Sequence, residues 1–504
     1  MKKLISTHNF ILGLIILVIL GGFFRFYNLS NSPYWMDEGY TINAVLSIQE
    51  KGASILDSGN YYNCPTYCYP TSIITNYLGN NSFSYRLLAV IAGIIFVIAI
   101  FFITKKLFGK IIGLLISLAV TFSYWQIAWS RQARWYTLFI LFFWLAIFFF
   151  YQFINDQNKK YKIWQLFSII IFTILACLTH GLGYLLPLIF IIWYLFDQIF
   201  IKKELKIKKT IIYIIVISTI VFIFYLISNI NLFAQLYNKI NFNYTLPYYI
   251  SFLIRNYWLF IVFSLYALFT PKKEEQNIRY FLIFVFLMYL IPLSFLTNLV
   301  HYRYLFHVTP VLLILGILGM SDIYSLIQKK WQRIIYIGII TILFFTIGGG
   351  ILIPRDTYIL ESDNPETLGN RPHYAYTPQP DWNEAYDFIK NNKTEKDIAI
   401  SSMPQFNKIF LGIPGYWIKY NYLGFTDRES KITNNKEYYV GAEVINNLEE
   451  LKSITLDNHG YITIDYMAMD GKIEQSIIDY INTTFPIVFY KKTNSYSQVW
   501  VYKF

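Results

Sequence analysis

Two adjacent carboxylates, Asp37 and Glu38, follow the first apolar stretch of the chain. Only 14% of the residues are charged, so an acidic pair beside a membrane segment stands out. A charged group near hydrocarbon costs free energy, and such groups usually mark a functional site. A carboxylate whose pKa is raised by partial burial can accept a proton from a hydroxyl group. The pair is therefore a candidate for general-base chemistry; the alternative is a solvated loop that happens to be acidic.

The composition indicates a membrane protein. The chain of 504 residues is 56% hydrophobic and 20% aromatic, whereas a soluble domain has about 45–50% apolar and about 25% charged residues. The net charge of +12 could indicate nucleic-acid binding. The lysines, however, cluster between apolar stretches of about 18–20 residues, which is typical of membrane topology. Membrane lipids are therefore expected partners, and nucleic acid is not.

Apolar stretches predict about eleven transmembrane helices, each near the length that crosses the hydrocarbon core. The N-terminal stretch, Phe10–Phe24, could be a signal peptide. It is followed by Arg25-Phe26-Tyr27 and not by a small-residue cleavage site, so we interpret it as a retained span. The predicted segments are 10–24, 87–104, 111–128, 135–153, 163–179, 183–200, 210–228, 256–270, 279–297, 304–327 and 333–353.

Lysine-rich and lysine-poor loops alternate along the chain, and the positive-inside rule places the lysine-rich set in the cytoplasm. The predicted localisation is the cytoplasmic (plasma) membrane, with several spans and a cytoplasmic N-terminus. An odd number of spans leaves residues 354–504 outside. Residues 1–353 form the predicted multi-span domain, which includes a long first outer loop, 25–86. The lysine-rich loops begin near Lys2, Lys105, Lys159, Lys202, Lys272 and Lys329.

The part of the chain that follows Pro354 is polar and mixed, and its pattern alternates between strands and helices. Such alternation over about 150 residues predicts a small extracytoplasmic α/β domain. The predicted strands are Asp397–Ser401, Tyr438–Val440, Gly460–Asp465, Ile487–Tyr490 and Gln498–Tyr502, and the predicted helices are Asp381–Lys390, Pro404–Leu411 and Ile473–Ile481.

The predicted outer loops divide by charge. Before the terminal domain, their acids are all in the first loop: Asp37, Glu38, Glu50 and Asp57. The other outer loops carry cations, and this arrangement suits an anionic lipid headgroup beside a carboxylate that handles protons. Arginine binds phosphate oxygens through paired hydrogen bonds. The alternative is that these arginines snorkel to the lipid headgroups of the bilayer. The cations are Arg131, Arg134, Lys239, Arg255, Arg303, His180 and His301, with Arg86 at the start of the second span.

Three further features are ambiguous from sequence. His180 could contact a phosphate, or it could be a hydrogen-bonded structural residue at a helix turn. Trp35 and Tyr136 could lie near a sugar or belong to helix packing. A Cys64–Cys68 disulfide is possible if the first loop is in an oxidising compartment.

Cofactor and metal are not predicted. Asp37 and Glu38 could touch a metal ion, but adjacent acids lack the spread of ligands that a metal site needs.

Short motifs on the predicted outer face carry a resemblance to a known class. They are Trp35-Met36-Asp37-Glu38 after the first span, Gly79…Arg86 at the second, Arg131…Arg134-Trp135-Tyr136, Thr179-His180-Gly181, and Arg303-Tyr304…Pro310. Together they resemble the GT-C class of lipid-dependent glycosyltransferases, nearest to the protein O-mannosyltransferase and lipid A aminoarabinose transferase group. Members usually carry a His- or Lys-Pro-Pro element after the acidic pair. The corresponding stretch here reads Asn63-Cys64-Pro65-Thr66.

The resemblance implies a GT-C fold and an inverting transfer of a sugar from a polyprenyl-phosphate donor to a hydroxyl acceptor on the outer face. The acceptor would be a protein, a lipid or a cell-surface glycan. Asp37 would be the general base, and Glu38 would orient the acceptor or hold a cation. Arginines would neutralise the departing lipid phosphate, where negative charge develops. The implied substrate-binding residues are Trp35, Arg86, Arg131, Arg134, Tyr136, His180, Arg303 and Tyr304.

Three other functions remain open from the sequence. A flippase or transporter for lipid-linked sugars predicts discontinuous half-helices and midplane polar residues, of which the spans have little. A polysaccharide polymerase or ligase would place its key residues in a large late loop. A non-catalytic receptor would act through the terminal domain. The position of the acids in the first loop favours the transferase.

Overall fold

The computed structural model describes most of the chain, in two compact units. A helical unit comprises Met1–Phe26, Ala89–Ser130 and Trp135–Pro354, and a mixed unit comprises Tyr27–Leu88, Arg131–Arg134 and Arg355–Phe504. The described residues are 7–156, 159–201, 245–270, 274–296, 301–346, 349–352, 380–419, 432–433, 435–466, 468–494 and 497–504. The predicted domain boundary near residue 354 lies outside them and stays a prediction.

Helices dominate the described residues, and their bounds follow in chain order. They are α1 (Thr7–Phe26), α2 (Met36–Lys51), α3 (Pro65–Leu78), α4 (Ser82–Phe108), α5 (Lys110–Phe122), α6 (Tyr124–Ser130), α7 (Tyr136–Asn155), α8 (Lys159–Thr179), α9 (Leu185–Phe196), α10 (Leu246–Phe269), α11 (Gln276–Phe295), α12 (Thr309–Leu326), α13 (Lys330–Thr346), α14 (Trp382–Asn392), α15 (Pro404–Leu411), α16 (Leu448–Asp457) and α17 (Gln475–Thr484).

Seven stretches of helix in the described residues are long and apolar enough to cross a membrane, and Phe10–Phe26 and Lys110–Phe122 are shorter apolar helices. Every predicted apolar segment that falls in the described part of the chain overlaps helix, although not over its whole length in each case. Segment 210–228 lies outside that part, so the count of about eleven spans stays a prediction. The chain is a multi-pass membrane protein.

Predicted boundaries differ from the structure at several helices; α13, for example, ends at Thr346, within the predicted segment 333–353. Helix α10 begins at Leu246, inside the predicted loop 229–255, because Pro247 occupies the first turn, where a missing N–H costs nothing. The predicted span 111–128 is broken at Ser123, which has extended backbone angles and pairs with Gly350 in a short bridge. The sequence pattern alone did not reveal this break.

The mixed unit contains an eight-stranded sheet in the described residues, with the strand order β3-β4-β5-β2-β1-β6-β8-β7. Strands β1, β2, β5 and β6 run parallel, and the outer strands are antiparallel. The predicted small α/β domain is confirmed. The strands are β1 (Ile398–Ser401), β2 (Tyr416–Ile418), β3 (Ile432–Thr433), β4 (Lys436–Glu437), β5 (Glu443–Ile445), β6 (Gly460–Asp465), β7 (Ile487–Asn494) and β8 (Ser497–Lys503).

The predicted strand Tyr438–Val440 is wrong. These residues form the turn between β4 and β5. The Glu437 carboxylate accepts hydrogen bonds from the backbone N–H groups of Tyr439 and Val440, at 2.8 and 2.7 Å. Both N–H groups are therefore satisfied by a side chain instead of a neighbouring strand.

The predicted first outer loop folds into two helices, and the first of them, α2, carries the acidic pair. Gly52 ends α2 with φ +74°, a left-handed conformation that glycine adopts without strain. Helix α2 packs against α15. A Cβ at Gly39 would lie 2.6 Å from Gln405 Cγ, so the two helices approach closely because Gly39 lacks a side chain. The Asn43 side chain donates to the Gln405 carbonyl at 3.1 Å.

Candidate active site

Glu38 is almost completely buried at the start of α2, and its two oxygens accept four hydrogen bonds. Oε1 accepts from Arg86 Nε at 2.8 Å and from the Ala133 N–H at 2.6 Å. Oε2 accepts from Arg86 Nη2 and from the Trp35 N–H, both at 2.9 Å. The last of these bonds caps the helix, since the carboxylate satisfies an N–H that the helix leaves unpaired. Both carboxylate oxygens of Glu38 therefore have their hydrogen-bond donors inside the protein.

Arg86 is equally buried, and all five of its N–H groups donate to protein acceptors. Nε and one Nη2 hydrogen bind the Glu38 carboxylate. Nη1 donates to the carbonyls of Leu29 and Ser32, both at 2.9 Å, and Nη2 also donates to the Pro33 carbonyl at 3.1 Å. Through these hydrogen bonds, Arg86 holds residues 29–33 against the first turn of α2. A phosphate could bind Arg86 only by displacing these partners.

Asp37, the other acid of the pair, is more accessible. Its side chain is 15% exposed, and its Oδ2 lies 3.5 Å from Arg134 Nη2. Arg134 Nη1 donates to the Asp37 carbonyl at 3.0 Å and to Thr41 Oγ1 at 2.9 Å. The same nitrogen donates to the Tyr62 hydroxyl at 2.7 Å. Arg134 therefore binds the helix that carries Asp37 while its second nitrogen approaches the carboxylate.

The segment Arg131–Arg134, a short connection between α6 and α7, contacts the acidic pair and the residues around it. The Ala133 N–H reaches Glu38, and Arg134 reaches Asp37. Arg131 donates to the Tyr27 carbonyl at 2.5 Å and to Ser32 Oγ at 3.1 Å. The two arginines of the predicted motif thus hold residues on both sides of the acidic pair.

Aromatic rings lie near the Asp37–Arg134 pair in the mixed unit. The Arg134 guanidinium lies 5.7 Å from the Trp35 ring centre, a cation–π distance. The Tyr40 ring stacks on Tyr439 at 4.0 Å, and the Tyr62 ring meets Tyr439 edge to face at 6.3 Å. Burial raises the pKa of Tyr439, and the nearby Tyr62 and Asp37 raise it further. The Tyr439 phenol is therefore neutral at pH 7.

Tyr40, Tyr62 and Tyr439 were not among the residues predicted from sequence. Each is one of 44 tyrosines, and nothing in the spacing distinguishes them. Tyr439 lies about 400 residues after Tyr40, so their contact has no local signal.

The predicted site residues divide between the two units. The mixed unit brings together Trp35, Asp37, Glu38, Arg86, Arg131 and Arg134, as described above. Tyr136, His180, Arg303 and Tyr304 belong to the helical unit. Within that unit, the His180 ring lies 5.6 Å from Tyr136 and 6.1 Å from Tyr304. The Arg303 guanidinium lies 5.6 Å from the Tyr304 ring centre.

His180 has a structural role in the fold. Its Nδ1 accepts a hydrogen bond from the Leu182 N–H at 3.1 Å, which caps the short 3₁₀ helix Gly181–Tyr184. This bond fixes the orientation of the ring.

Cys64 and Cys68 form a disulfide in the mixed unit, at the start of α3. Across the described residues, the structure contains no group of three or more His, Cys, Asp or Glu side chains arranged to hold a metal ion. Glu38 in particular already accepts four hydrogen bonds.

Comparison with solved structures identifies the fold. ArnT from Cupriavidus metallidurans, bound to undecaprenyl phosphate, aligns with 99% of this chain and 98% of its own, at 12% identity and a TM-score of 0.62. The fold is that of the GT-C glycosyltransferases. The Archaeoglobus fulgidus oligosaccharyltransferase in the apo form aligns with 94% of this chain and 72% of its own, at 10% identity and a TM-score of 0.58. The predicted GT-C resemblance is confirmed.

The remaining comparisons cover a family model, the curated proteins and a structure solved with ligands. A family model described as dolichyl-phosphate-mannose-protein mannosyltransferase matches residues 63–227. No curated protein matches the chain. The archaeal oligosaccharyltransferase AglB, solved with an inhibitory peptide and a dolichol-phosphate, aligns with 97% of this chain and 74% of its own, at 12% identity and a TM-score of 0.55. The family match and the fold together indicate a glycosyltransferase.

Proposed function

We propose that this protein transfers a sugar from a polyprenyl-phosphate donor to a hydroxyl acceptor at the outer face of the cytoplasmic membrane, with inversion at the anomeric carbon. The observation that carries the proposal is the accessible carboxylate of Asp37 beside Arg134, on a helix fixed by the buried Glu38–Arg86 pair. The GT-C fold and the family match supply the reaction class. Related proteins solved with undecaprenyl phosphate or a dolichol-phosphate support a polyprenyl-phosphate donor.

Asp37 is the proposed general base. As the acceptor oxygen attacks the anomeric carbon, its proton passes to the Asp37 carboxylate and a new C–O bond forms. The bond between the anomeric carbon and the phosphate oxygen breaks, and the polyprenyl phosphate leaves with the electron pair. Phosphate is a good leaving group, so this scheme needs no second carboxylic acid to protonate it, unlike the two-carboxylate glycosidases.

Glu38 and Arg86 are proposed positioning residues. Their hydrogen bonds are all made to the protein, so they act by fixing the first turn of α2 and the chain before it. A site must hold its reactive groups within a fraction of an ångström, and rotamers locked by such contacts achieve this. This assignment replaces the phosphate-binding role that the sequence predicted for Arg86 and the acceptor-orienting role predicted for Glu38.

Arg134 contacts Asp37 and carries a positive charge, so it is a proposed partner for charge that develops on the donor phosphate. Arg131, Trp35, Tyr136, His180, Arg303 and Tyr304 remain proposed substrate-binding residues. The outer location is supported by the lysine pattern. It is also supported by the Cys64–Cys68 disulfide, because disulfides persist in oxidising, extracytoplasmic compartments.

The test compares wild-type protein with Asp37→Asn in membranes. Polyprenyl-phosphate sugars extracted from cells that lack the protein serve as donor, and the envelope fraction of the same cells serves as acceptor. We expect Asp37→Asn to lower the transfer rate at least about 100-fold, because the general base is lost. Glu449→Gln is the control, because the Glu449 side chain on α16 is 82% exposed, and this variant should transfer normally. Unchanged turnover in Asp37→Asn removes Asp37 from the base role.

Mass spectrometry of glycans and lipid-linked sugars, with and without the protein, separates the transferase from a flippase. Loss of a transferase leaves lipid-linked sugar in the outer leaflet, where periodate added to whole cells oxidises it. Loss of a flippase leaves that sugar in the inner leaflet, protected from periodate. Identical glycans and lipids in both strains would reject both functions.

A further inference from the structure

The turn Tyr438–Val440 of the sheet lies against the first-loop residues that flank Asp37. Its central ring, Tyr439, stacks on Tyr40 of α2 with ring centres 4.0 Å apart and 25° between the planes. The Tyr62 ring meets Tyr439 edge to face, at 6.3 Å and 73°. A residue from the last third of the chain therefore joins the aromatic group beside the proposed base.

The turn is held firmly from the sheet side. Glu437 is 5% exposed, and its carboxylate accepts the N–H groups of Tyr439 and Val440. Gly441 follows with φ +70°, and a Cβ there would lie 3.0 Å from the backbone of Asp57. These contacts hold the backbone of the turn in place, with the Tyr439 ring against Tyr40 of α2.

The first loop holds the same turn from the other side. The Asn60 side chain donates to the Tyr438 carbonyl at 3.0 Å, and Ser58 Oγ donates to the same carbonyl. These contacts involve main-chain atoms of the turn, so they fix Tyr439 without using its side chain. The main-chain contacts hold the turn, and the stacking on Tyr40 holds the Tyr439 ring against α2.

A chain of contacts connects Tyr439 to the base. Tyr439 touches Tyr62, the Tyr62 hydroxyl accepts from Arg134 at 2.7 Å, and Arg134 approaches the Asp37 carboxylate at 3.5 Å. Burial raises the pKa of Tyr439 above its usual value, so the hydroxyl stays protonated and can donate a hydrogen bond. Tyr439 is only partly buried, so part of the residue is accessible.

The charges near this turn favour the acceptor over the lipid phosphate. Glu50 and Asp57 lie beside it, with Lys408 3.7 and 3.1 Å from their carboxylates. Asp57 also pairs with Lys51 at 2.8 Å, so these two carboxylates face two lysines and leave no excess positive charge for a phosphate. A tyrosine face with a hydroxyl group suits an uncharged molecule that carries hydroxyl groups, because it offers apolar contact and a hydrogen bond together.

We propose that Tyr439 is an acceptor-binding residue. An uncharged hydroxyl acceptor lies against its side chain while Asp37 removes the proton of the acceptor hydroxyl. This inference rests on the proposed function and assigns to the α/β domain a direct part in acceptor binding. Glu437 is then a positioning residue, since it acts through the turn.

The test measures the dependence of the transfer rate on each substrate separately, with the extracted donor and envelope acceptor described above. Tyr439→Leu fills most of the ring volume but removes the aromatic face and the hydroxyl. Tyr439→Phe keeps the face and removes the hydroxyl. Tyr490→Ala is the control, because Tyr490 is 47% exposed on β7 of the same domain. Each variant is first checked by size-exclusion chromatography in detergent.

We expect Tyr439→Leu to raise the acceptor KM about tenfold and Tyr439→Phe about threefold, with the donor KM within about twofold of wild type. Tyr490→Ala should match wild type for both. An unchanged acceptor KM in whichever Tyr439 variant folds would overturn the inference, as would a rise confined to the donor KM. Absence of transfer by the wild-type protein would instead reject the proposed function, and this inference with it.

Discussion

Arg86 and Glu38 form a two-pronged ion pair, in which Nε and Nη2 of the guanidinium donate to the two carboxylate oxygens at 2.8 and 2.9 Å. Both side chains are 1% exposed. A buried pair of this kind adds little stability over an apolar pair of the same size, but it is costly to break. The ion pair fixes geometry here, because it joins the start of α4 to the turn of α2 that carries Asp37.

Glu38→Gln is expected to destabilise the protein by about 3–5 kcal/mol, since it leaves the Arg86 charge buried without its partner. Arg86→Lys should have a similar effect, because lysine cannot make the paired geometry. The measurement is the fraction of detergent-solubilised protein that stays monodisperse after heating. Glu50→Gln is the matched control and should change stability by less than about 0.5 kcal/mol. Wild-type heat resistance in Glu38→Gln would contradict the positioning role.

Arg134→Ala is expected to lower the transfer rate and to weaken donor binding more than Arg255→Ala does. Arg134 contacts Asp37 and the Tyr62 hydroxyl, whereas Arg255 lies on an exposed face of α10. Loss of a charge-assisted hydrogen bond of this kind costs about 1.5–3 kcal/mol, or about 10- to 150-fold in rate. Initial rates at varied donor concentration provide the comparison. Equal effects of the two substitutions would remove Arg134 from the site.

Asp57 links the first loop to α15 through an ion pair with Lys408 at 3.1 Å, and it also pairs with Lys51 at 2.8 Å. Partial burial acts to raise the pKa of Asp57, but the hydrogen bonds and charges of the two lysines outweigh it and lower the pKa. A lowered pKa in the folded state contributes stability above the unfolded value of about 3.9. That stability is lost as the pH falls through the folded value.

Asp57→Asn should therefore be less heat-stable than wild type at pH 7, and the difference should shrink as the pH falls below about 4. Thermal inactivation half-lives of both proteins, measured in detergent over this pH range, provide the test. Asp457→Asn, at the end of α16, serves as the control substitution. A difference that persisted unchanged at pH 3 would show that the carboxylate charge of Asp57 is not what stabilises this contact.

The sequence pattern predicted the helices and strands better than the tertiary contacts between them. Helix α15 and strand β6 have the predicted bounds, because Pro404 begins the helix, Gly412 follows it, and Gly460 begins the strand. Strand β2 has only three residues, too few to show an alternating pattern.

The acidic pair was recognisable from its position, but the division of roles within it was not. Glu38 and Arg86 are 48 residues apart, and no local pattern pairs them. Tyr439 was predicted as part of a strand because a Tyr-Tyr-Val run has high β propensity. The buried Glu437 carboxylate, which converts that run into a turn, acts through a contact that propensity does not register.

Gly39 lies where α2 approaches α15 most closely, so Gly39→Ala is expected to destabilise the protein. The new Cβ would lie 2.6 Å from Gln405 Cγ, and overpacking of this kind typically costs about 1–3 kcal/mol. Gln405→Ala removes the clashing atom and leaves the Gln405 carbonyl in place to accept from Asn43. The double variant should therefore recover most of the heat resistance lost in Gly39→Ala. If Gln405→Ala made the Gly39→Ala loss larger, the close approach of α2 and α15 could not be its cause.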